Sequence, residues 1–130
     1  MKIVAKTDVG MVRESNQDSY TTGELPNGVA WAVVCDGMGG AAGGNVASST
    51  AVKVIAEQIT SSFRPGMSAN SIKNMMVSAI NAANISVYDI SCSNSELYGM
   101  GTTVVCAIVM EHIAYIAHAG DSRAYIVSHG

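Results

Sequence analysis

A single aspartate followed by a run of glycines is the part of this sequence most suggestive of chemistry. Asp36 ends an apolar segment, and the eight residues from Gly37 to Gly44 include five glycines. Two kinds of site fit this pattern: a glycine loop that cradles nucleotide phosphates, and a carboxylate that holds a divalent metal ion. They make opposite demands on Asp36, because a carboxylate at the mouth of the loop repels phosphate and attracts a cation.

The nucleotide interpretation rests on a literal motif match. Residues 37–42 satisfy G-x-G-x-x-G/A between an expected strand and an expected helix, and Glu57 lies 20 residues beyond Gly37. The acid that binds the ribose should end a second strand, whereas Glu57 falls inside the first predicted helix. No Gly-Lys-Ser/Thr follows the glycines, which excludes a Walker-type loop. A nucleotide-binding domain is therefore the least favoured alternative.

A metal site accounts for both the carboxylate of Asp36 and the glycines beside it. Hard cations such as Mg²⁺ and Mn²⁺ prefer carboxylate, carbonyl and water oxygens, and a glycine beside Asp36 leaves its own carbonyl free to turn inward. Asp18 and Asp121, each at a predicted strand junction, are the candidate partners of Asp36. We expect Asp89 to be a solvated charge on the second helix, and Asp8 to lie at a strand end or turn.

Hydrophobic patterning predicts the elements that would position these residues. Strands are expected at 2–10, around 18–22 and at 29–35, followed by helices at 46–62 and from Ser68 or Ser71 to about Ile90, and then by a three-strand meander. Asn45 is the expected N-cap of the first helix. The all-apolar strand at 29–35 is expected to be central and covered on both faces. The order predicts an α+β layered fold.

Composition narrows the class of protein. The formal net charge is −3 and the seven Lys and Arg residues are scattered, which argues against nucleic-acid binding. No apolar run approaches the roughly 18 residues of a membrane span, and the N-terminus does not resemble a signal peptide. The three cysteines lack CxxC spacing; we expect Cys35 and Cys106 to lie in the core and the protein to be cytoplasmic.

Five segments, taken together, resemble a known family. The segments MVRESNQDSY, VVCDGMGG, NVAS, GTTVV and AHAGDSRAY resemble, in order and spacing, the N-terminal half of bacterial metal-dependent type 2C protein serine/threonine phosphatases, the PPM family. The resemblance covers essentially the whole chain. It implies an antiparallel β-sandwich flanked by helix pairs in four layers, α-β-β-α. Residues 1–130 would then be a single incomplete domain whose C-terminal half is absent.

The resemblance also implies roles for individual residues. Asp36 matches the aspartate that bridges two metal ions, and Gly37 the residue that contributes its carbonyl. Asp18 resembles the acid that supports the metals directly or through water, and Asp121 the aspartate associated with a third ion. Arg13 matches the arginine that binds the substrate phosphate. The implied activity is hydrolysis of phosphoserine and phosphothreonine by metal-activated water, with Mn²⁺ or Mg²⁺ as cofactor and Arg13 and Asp36 as catalytic residues.

Two departures from the family qualify this hypothesis. Met38 stands where many eukaryotic members carry a histidine proposed as general acid. Of the available histidines, we expect His118 to be a packed strand residue and His112 to be exposed at a turn. The family also draws two further aspartates from its C-terminal half, so these residues alone are not expected to form a working enzyme.

The resemblance implies phosphoprotein substrates and a serine/threonine kinase as partner, with no nucleic acid or membrane involved. Open sheet edges are expected to make the isolated chain self-associate. The alternative function, from another class, is a non-catalytic, phosphatase-like interaction domain that recruits a second chain by strand addition.

Overall fold

The described part of the chain consists of five strands and two long helices. The structure is a computed structural model that describes residues 18–120 and 123–129. The elements are β1 (Asp18–Leu25), β2 (Val29–Met38), α1 (Gly40–Ser62), α2 (Ala69–Ser93), β3 (Gly101–Val109), β4 (Ala114–Gly120) and β5 (Arg123–His129). Short 3₁₀ turns occupy Pro26–Gly28 and Ser95–Leu97. The strand predicted at 2–10 lies outside the described residues.

All five strands form one antiparallel sheet in sequential order, β1-β2-β3-β4-β5. Helices α1 and α2 pack against each other and against this sheet, α1 mainly over β1 and β2 and α2 over β3 and β4. The predicted α+β class and the predicted meander of the last three strands are confirmed. This helix pair on a sheet is one α-β half of the four-layer arrangement.

The core lies between the helices and one face of the sheet. In β2 and β3, alternate residues face the helices and are buried, among them Val33, Cys35, Val104, Cys106 and Ile108. The buried residues of β2 lie under α1, whereas α2 packs against α1, β3 and β4. The buried side chains of the apolar stripe of α2 are Ile72, Met75, Met76, Ala79, Ile80, Ala83 and Val87. Cys35 and Cys106 are fully buried, as predicted. Burial of such side chains is the main source of stability here.

The opposite face of the sheet corrects one prediction. Residues 29–35 were expected to be covered on both faces, but Val34 is 46% exposed. The register aligns Val34 with Tyr20 on β1 and Val105 on β3, which are also exposed. In the described part of the chain only the helices form a second layer, and they cover a single face. We call Tyr20, Val34 and Val105 the outer apolar row.

Helix α1 begins earlier than predicted. Its first residue is Gly40 and its N-cap is Gly39, so Asn45 is an interior residue and not the N-cap. The chain can continue as a helix through these glycines because the helix start is pressed against the end of the sheet. A Cβ atom added to Gly43 would lie 3.1 Å from the Cβ atom of Met100. Close packing here outweighs the low helix propensity of glycine.

Helix α2 agrees with the prediction. Ser68 is its N-cap, and the Ser68 hydroxyl accepts a hydrogen bond from the backbone N–H of Ser71 at 3.2 Å. The Pro65-Gly66 segment separates the two helices, with Gly66 at a φ of 85°. Among the described residues, no helix has the length and apolarity needed to cross a membrane.

Candidate metal centre

Asp36 lies near the end of β2, on the face of the sheet that points away from the helices. Side chains alternate between the two faces of a strand, so Asp36 lies on the same face as Val34. Cys35 and Gly37, on either side of Asp36, face the helices and are buried. The strand pairs with β1 on one side and β3 on the other. The Oδ1 atom of Asp36 is sheltered from solvent. Two flanking strands therefore hold this carboxylate rigidly.

The register brings a second aspartate beside the first. Asp18, the first residue of β1, is the direct cross-strand partner of Asp36. Residues directly opposite in an antiparallel pair have Cα atoms about 4.5–5.5 Å apart. Two residues 18 positions apart in the sequence thus occupy neighbouring positions in the sheet. This arrangement is what a metal site with oxygen ligands from both residues requires.

Gly37 occupies a position where no side chain fits. A Cβ atom added to it would lie 1.9 Å from the backbone carbonyl oxygen of Gly44 in the second turn of α1. Because the obstacle is backbone, it cannot move aside as a flexible side chain would. The requirement for glycine beside Asp36 comes from this close approach of helix and strand.

Thr103 is a residue of this site to which no role was assigned from the sequence. It is the direct partner of Asp36 on β3, and its hydroxyl donates to the backbone carbonyl of Asp36 at 3.5 Å. The neighbouring Thr102 hydroxyl donates to the carbonyl of Thr103 at 2.9 Å. The GTT motif was visible in the sequence, but only the strand register shows which threonine stands opposite the aspartate.

Other predicted site residues are not described. Arg13 and Asp121 lie outside the described residues, and of Asp18 only the backbone position is described. Within the described part of the chain, no three His, Cys, Asp or Glu side chains cluster as a metal site would require. The donor set fits a hard cation, because Asp36, Asp18 and the carbonyl of Gly37 offer oxygen alone.

Comparison with known proteins identifies the family. The family model described as Protein phosphatase 2C matches residues 12–130. The chain belongs to the protein phosphatase 2C family. It is 35% identical over 131 residues to a putative protein phosphatase 2C-type of Streptococcus pyogenes, covering 100% of this chain and 52% of that one. It is 34% identical to the serine/threonine phosphatase stp of Listeria monocytogenes, covering 94% and 48%.

Solved structures lead to the same family. The S. agalactiae serine/threonine phosphatase matches with a TM-score of 0.78 and 28% identity, over 94% of this chain and 52% of that one. The catalytic domain of the phosphatase PstP, solved in complex with 2 manganese ions, matches with a TM-score of 0.68 and 25% identity, over 94% and 52%. The chain spans about half the length of the relatives it matches.

In this protein phosphatase 2C chain, the cysteine beside Asp36 is inert. Burial raises the pKa of the Cys35 thiol to about 12, although a hydrogen bond with Thr102 lowers it somewhat. Burial, with the nearby Cys35, raises the pKa of Cys106 to about 12 as well. A thiol with such a pKa is protonated at neutral pH and is a poor nucleophile.

The structure also gives the positions of two acidic residues and two histidines discussed from the sequence. Asp89 is exposed on α2, as predicted, and Glu57 lies within α1, as predicted, where its side chain is exposed. His112 is exposed at the β3–β4 turn beside Glu111, at 3.6 Å, also as predicted. His118 lies in β4 as expected, but the prediction that it is packed is wrong. It stands opposite Val105 on the face away from the helices, and it is exposed.

Proposed function

We propose that this chain is the N-terminal portion of a protein phosphatase 2C domain that hydrolyses phosphoserine and phosphothreonine in proteins, with Mn²⁺ or Mg²⁺ as cofactor. The observation that carries the proposal is the register that sets Asp18 opposite Asp36, beside Gly37, where an added Cβ atom would meet the backbone of Gly44. The family of residues 12–130 supports it. On this proposal the domain includes all 130 residues, and its remaining ligands lie elsewhere in the complete domain.

Each site residue has a defined task in this proposal. Asp36 would hold two ions, with a further oxygen from the carbonyl of Gly37. Asp18 would support these ions directly or through bound water, and Asp121 would hold a third ion. When bound, the ions activate water and offset the charge of the phosphoryl group. Arg13 presents a planar fork of N–H donors that binds two phosphate oxygens at once.

The neighbouring strands keep this site in place during the reaction. Asp36 is flanked by β1 and β3, and the Thr103 hydroxyl is bonded to its backbone carbonyl. Because the backbone of Asp36 is fixed in this way, only its side-chain torsions lose freedom when a ligand binds. Because Cys35 is a buried thiol with a raised pKa, it is not available as a covalent nucleophile beside Asp36, which favours direct attack by water.

We further propose that the protein acts in the cytoplasm on phosphoproteins, opposite a serine/threonine kinase. Cys35 and Cys106 are free thiols on adjacent strands, Cys35 opposite Val104 and Cys106 opposite Val33. Free thiols in the core are typical of proteins from a reducing compartment.

A second candidate function is supported by the outer apolar row. Tyr20, Val34 and Val105 are each more than 40% exposed, and contiguous exposed apolar surface commonly marks an interaction site. On this alternative the chain is a non-catalytic, phosphatase-like interaction domain.

Metal binding provides the first test. Asp36→Asn should weaken Mn²⁺ binding by about 10-fold or more, because a neutral amide replaces a charged ligand. Asp89→Asn is the matched control, since Asp89 is an exposed carboxylate on α2. Isothermal titration of the unchanged chain and the two variants measures the effect. Equal Mn²⁺ affinity for all three proteins would contradict the assignment of Asp36.

Catalysis is tested in a chimera that supplies the rest of the domain. This chain replaces the matching region of the Listeria monocytogenes relative, of which it covers 48%. We expect Mn²⁺-dependent hydrolysis of a phosphothreonine peptide, lost with Asp36→Asn and kept with Asp89→Asn. A chimera that folds and binds Mn²⁺ but does not hydrolyse the peptide would favour the interaction domain instead.

A further inference from the structure

A cavity of about 380 Å³ lies between the C-terminal half of α2 and the first residues of β3. We propose that it is a binding site for a neutral aromatic small molecule, separate from the metal centre. Its volume falls in the range of roughly 300–1,000 Å³ that small-molecule sites occupy.

The lining favours a neutral ligand with an apolar body. Its floor is apolar and comes from both layers of the fold: Ile80, Ala83, Val87, Met100 and Val104. All five of these side chains are buried. Among the described residues that line the cavity there is no Asp, Glu, Lys, Arg or His. A phosphate or a nucleotide would therefore find no countercharge, and burying it would cost free energy.

The rim adds aromatic and polar groups. Tyr88 and Tyr98 are 65% and 80% exposed, respectively, and both line the cavity. Aromatic rings at this position can stack against a planar ligand, and ring pairs contribute about 0.5–1.5 kcal/mol beyond the buried area. The exposed side chain of Asn84 supplies hydrogen-bonding groups that can orient it.

The walls are held open by the packing around them. The backbone N–H of Gly99 donates to the Ser91 hydroxyl at 3.2 Å, which ties the loop after α2 to the helix. The N–H of Met100 donates to the carbonyl of Leu97 at 3.1 Å. The backbone of Met100 is also packed against the glycine loop, where a Cβ atom on Gly39 would lie only 2.9 Å from the Cα atom of Met100.

The cavity and the metal centre lie on opposite faces of the sheet. Thr102 and Val104 line the cavity and share the helix-facing side of β3, since Val104 and Cys106 are buried under the helices. Thr103 is the cross-strand partner of Asp36 on the other face. A molecule in the cavity therefore does not occupy the place of the substrate phosphate.

Cys92 provides a direct test, because it lines the cavity and is exposed while the other two cysteines are buried. The chain is equilibrated with a benzyl disulfide or a hydroxyethyl disulfide over a range of 2-mercaptoethanol concentrations, and adducts are counted by intact mass. If the benzyl group enters the cavity, the benzyl adduct of Cys92 should persist at a 2-mercaptoethanol concentration about tenfold higher than the hydroxyethyl adduct does. This ratio is equivalent to about 1.4 kcal/mol.

Two kinds of variant make the result specific. In Cys92→Ser combined with Ser93→Cys, the thiol moves to the next exposed residue of α2, which does not line the cavity. There the benzyl preference should disappear. Tyr98→Ala removes an exposed ring from the rim, and Ala83→Leu fills the floor; both should lower the preference at Cys92, with circular dichroism checking the fold. No benzyl preference at Cys92, or the same preference at position 93, would overturn the proposal.

Discussion

At the scale of single residues, the glycine after Asp36 is a tightly constrained position of the candidate metal centre. The chain has 13 glycines, but at Gly37 the space for a Cβ atom is filled by the backbone of Gly44. Gly37→Ala should lower the free energy of unfolding by about 1–3 kcal/mol, the usual cost of overpacking. Urea denaturation followed by circular dichroism measures it.

Gly101→Ala is the matched control for this substitution. Gly101 pairs with Met38 at the same end of the sheet, but the nearest atom to an added Cβ would be 3.7 Å away. We expect its stability to change by no more than about 0.5 kcal/mol, because this is ordinary van der Waals contact. If both alanine variants unfold at the same urea concentration, the helix does not approach the strand as closely as described.

The buried thiols make stability depend on pH in the alkaline range. Burial raises the pKa of Cys35 from its usual value near 9 to about 12, so the folded protein keeps a proton that the unfolded chain has lost. The contribution to stability is therefore fully present below about pH 9 and falls as the pH rises toward 12. Urea denaturation between these limits should show a shallower decline for Cys35→Ala than for the unchanged chain. A decline of equal slope would contradict the raised pKa.

At the scale of elements, one hydroxyl pair joins the strand that begins with Asp18 to the first helix. The hydroxyl oxygens of Ser19 on β1 and Ser48 on α1 are 3.0 Å apart, and Ser48 is fully buried. Each single alanine substitution should cost about 1 kcal/mol, and the double mutant should cost less than the sum because the bond is lost only once. Thermal and urea denaturation of the four proteins measure this coupling.

Ser49 provides the control for the pair. Its hydroxyl bonds within its own helix, to the carbonyl of Asn45 at 2.7 Å, and the side chain is exposed. Ser49→Ala should therefore change stability by less than about 0.5 kcal/mol. Strictly additive losses for Ser19→Ala and Ser48→Ala would show that the two hydroxyls do not stabilise each other.

The helices and strands also show which features of the fold could be predicted from the sequence and which could not. Helix α2 was predictable because its cap at Ser68 and its apolar stripe follow local rules. The start of α1 was not, since Gly40, Gly43 and Gly44 have low helix propensity, and the close packing of this turn against β2 and Met100 cannot be seen in the sequence. Asp18 and Asp36 were named as candidates from their surroundings, but their direct pairing depends on strand register. Arg13 and Asp121 stay predictions.

At the scale of the whole molecule, the sheet has one face under the helices and one face carrying the outer apolar row. The helix face holds the core, whereas Tyr20, Val34 and Val105 form a continuous exposed strip across three strands. Burial of apolar surface yields roughly 25 cal/mol per Å², so this strip favours a second layer. We expect the 130-residue chain by itself to self-associate through this face and the open edges of the sheet.

Charge introduced into the outer apolar row should weaken that association. Val34→Lys and Val105→Lys place a strongly hydrated ammonium where apolar contact is needed, and desolvating it is costly. Ile85→Lys is the control, because Ile85 is 60% exposed on α2, in the helix layer on the opposite side of the sheet. Sedimentation equilibrium should show oligomers for the unchanged chain and for Ile85→Lys, and a shift toward monomer for the other two. The exposed face does not drive association if the unchanged chain is monomeric. The same conclusion holds if Ile85→Lys weakens the oligomers as much as Val34→Lys and Val105→Lys do.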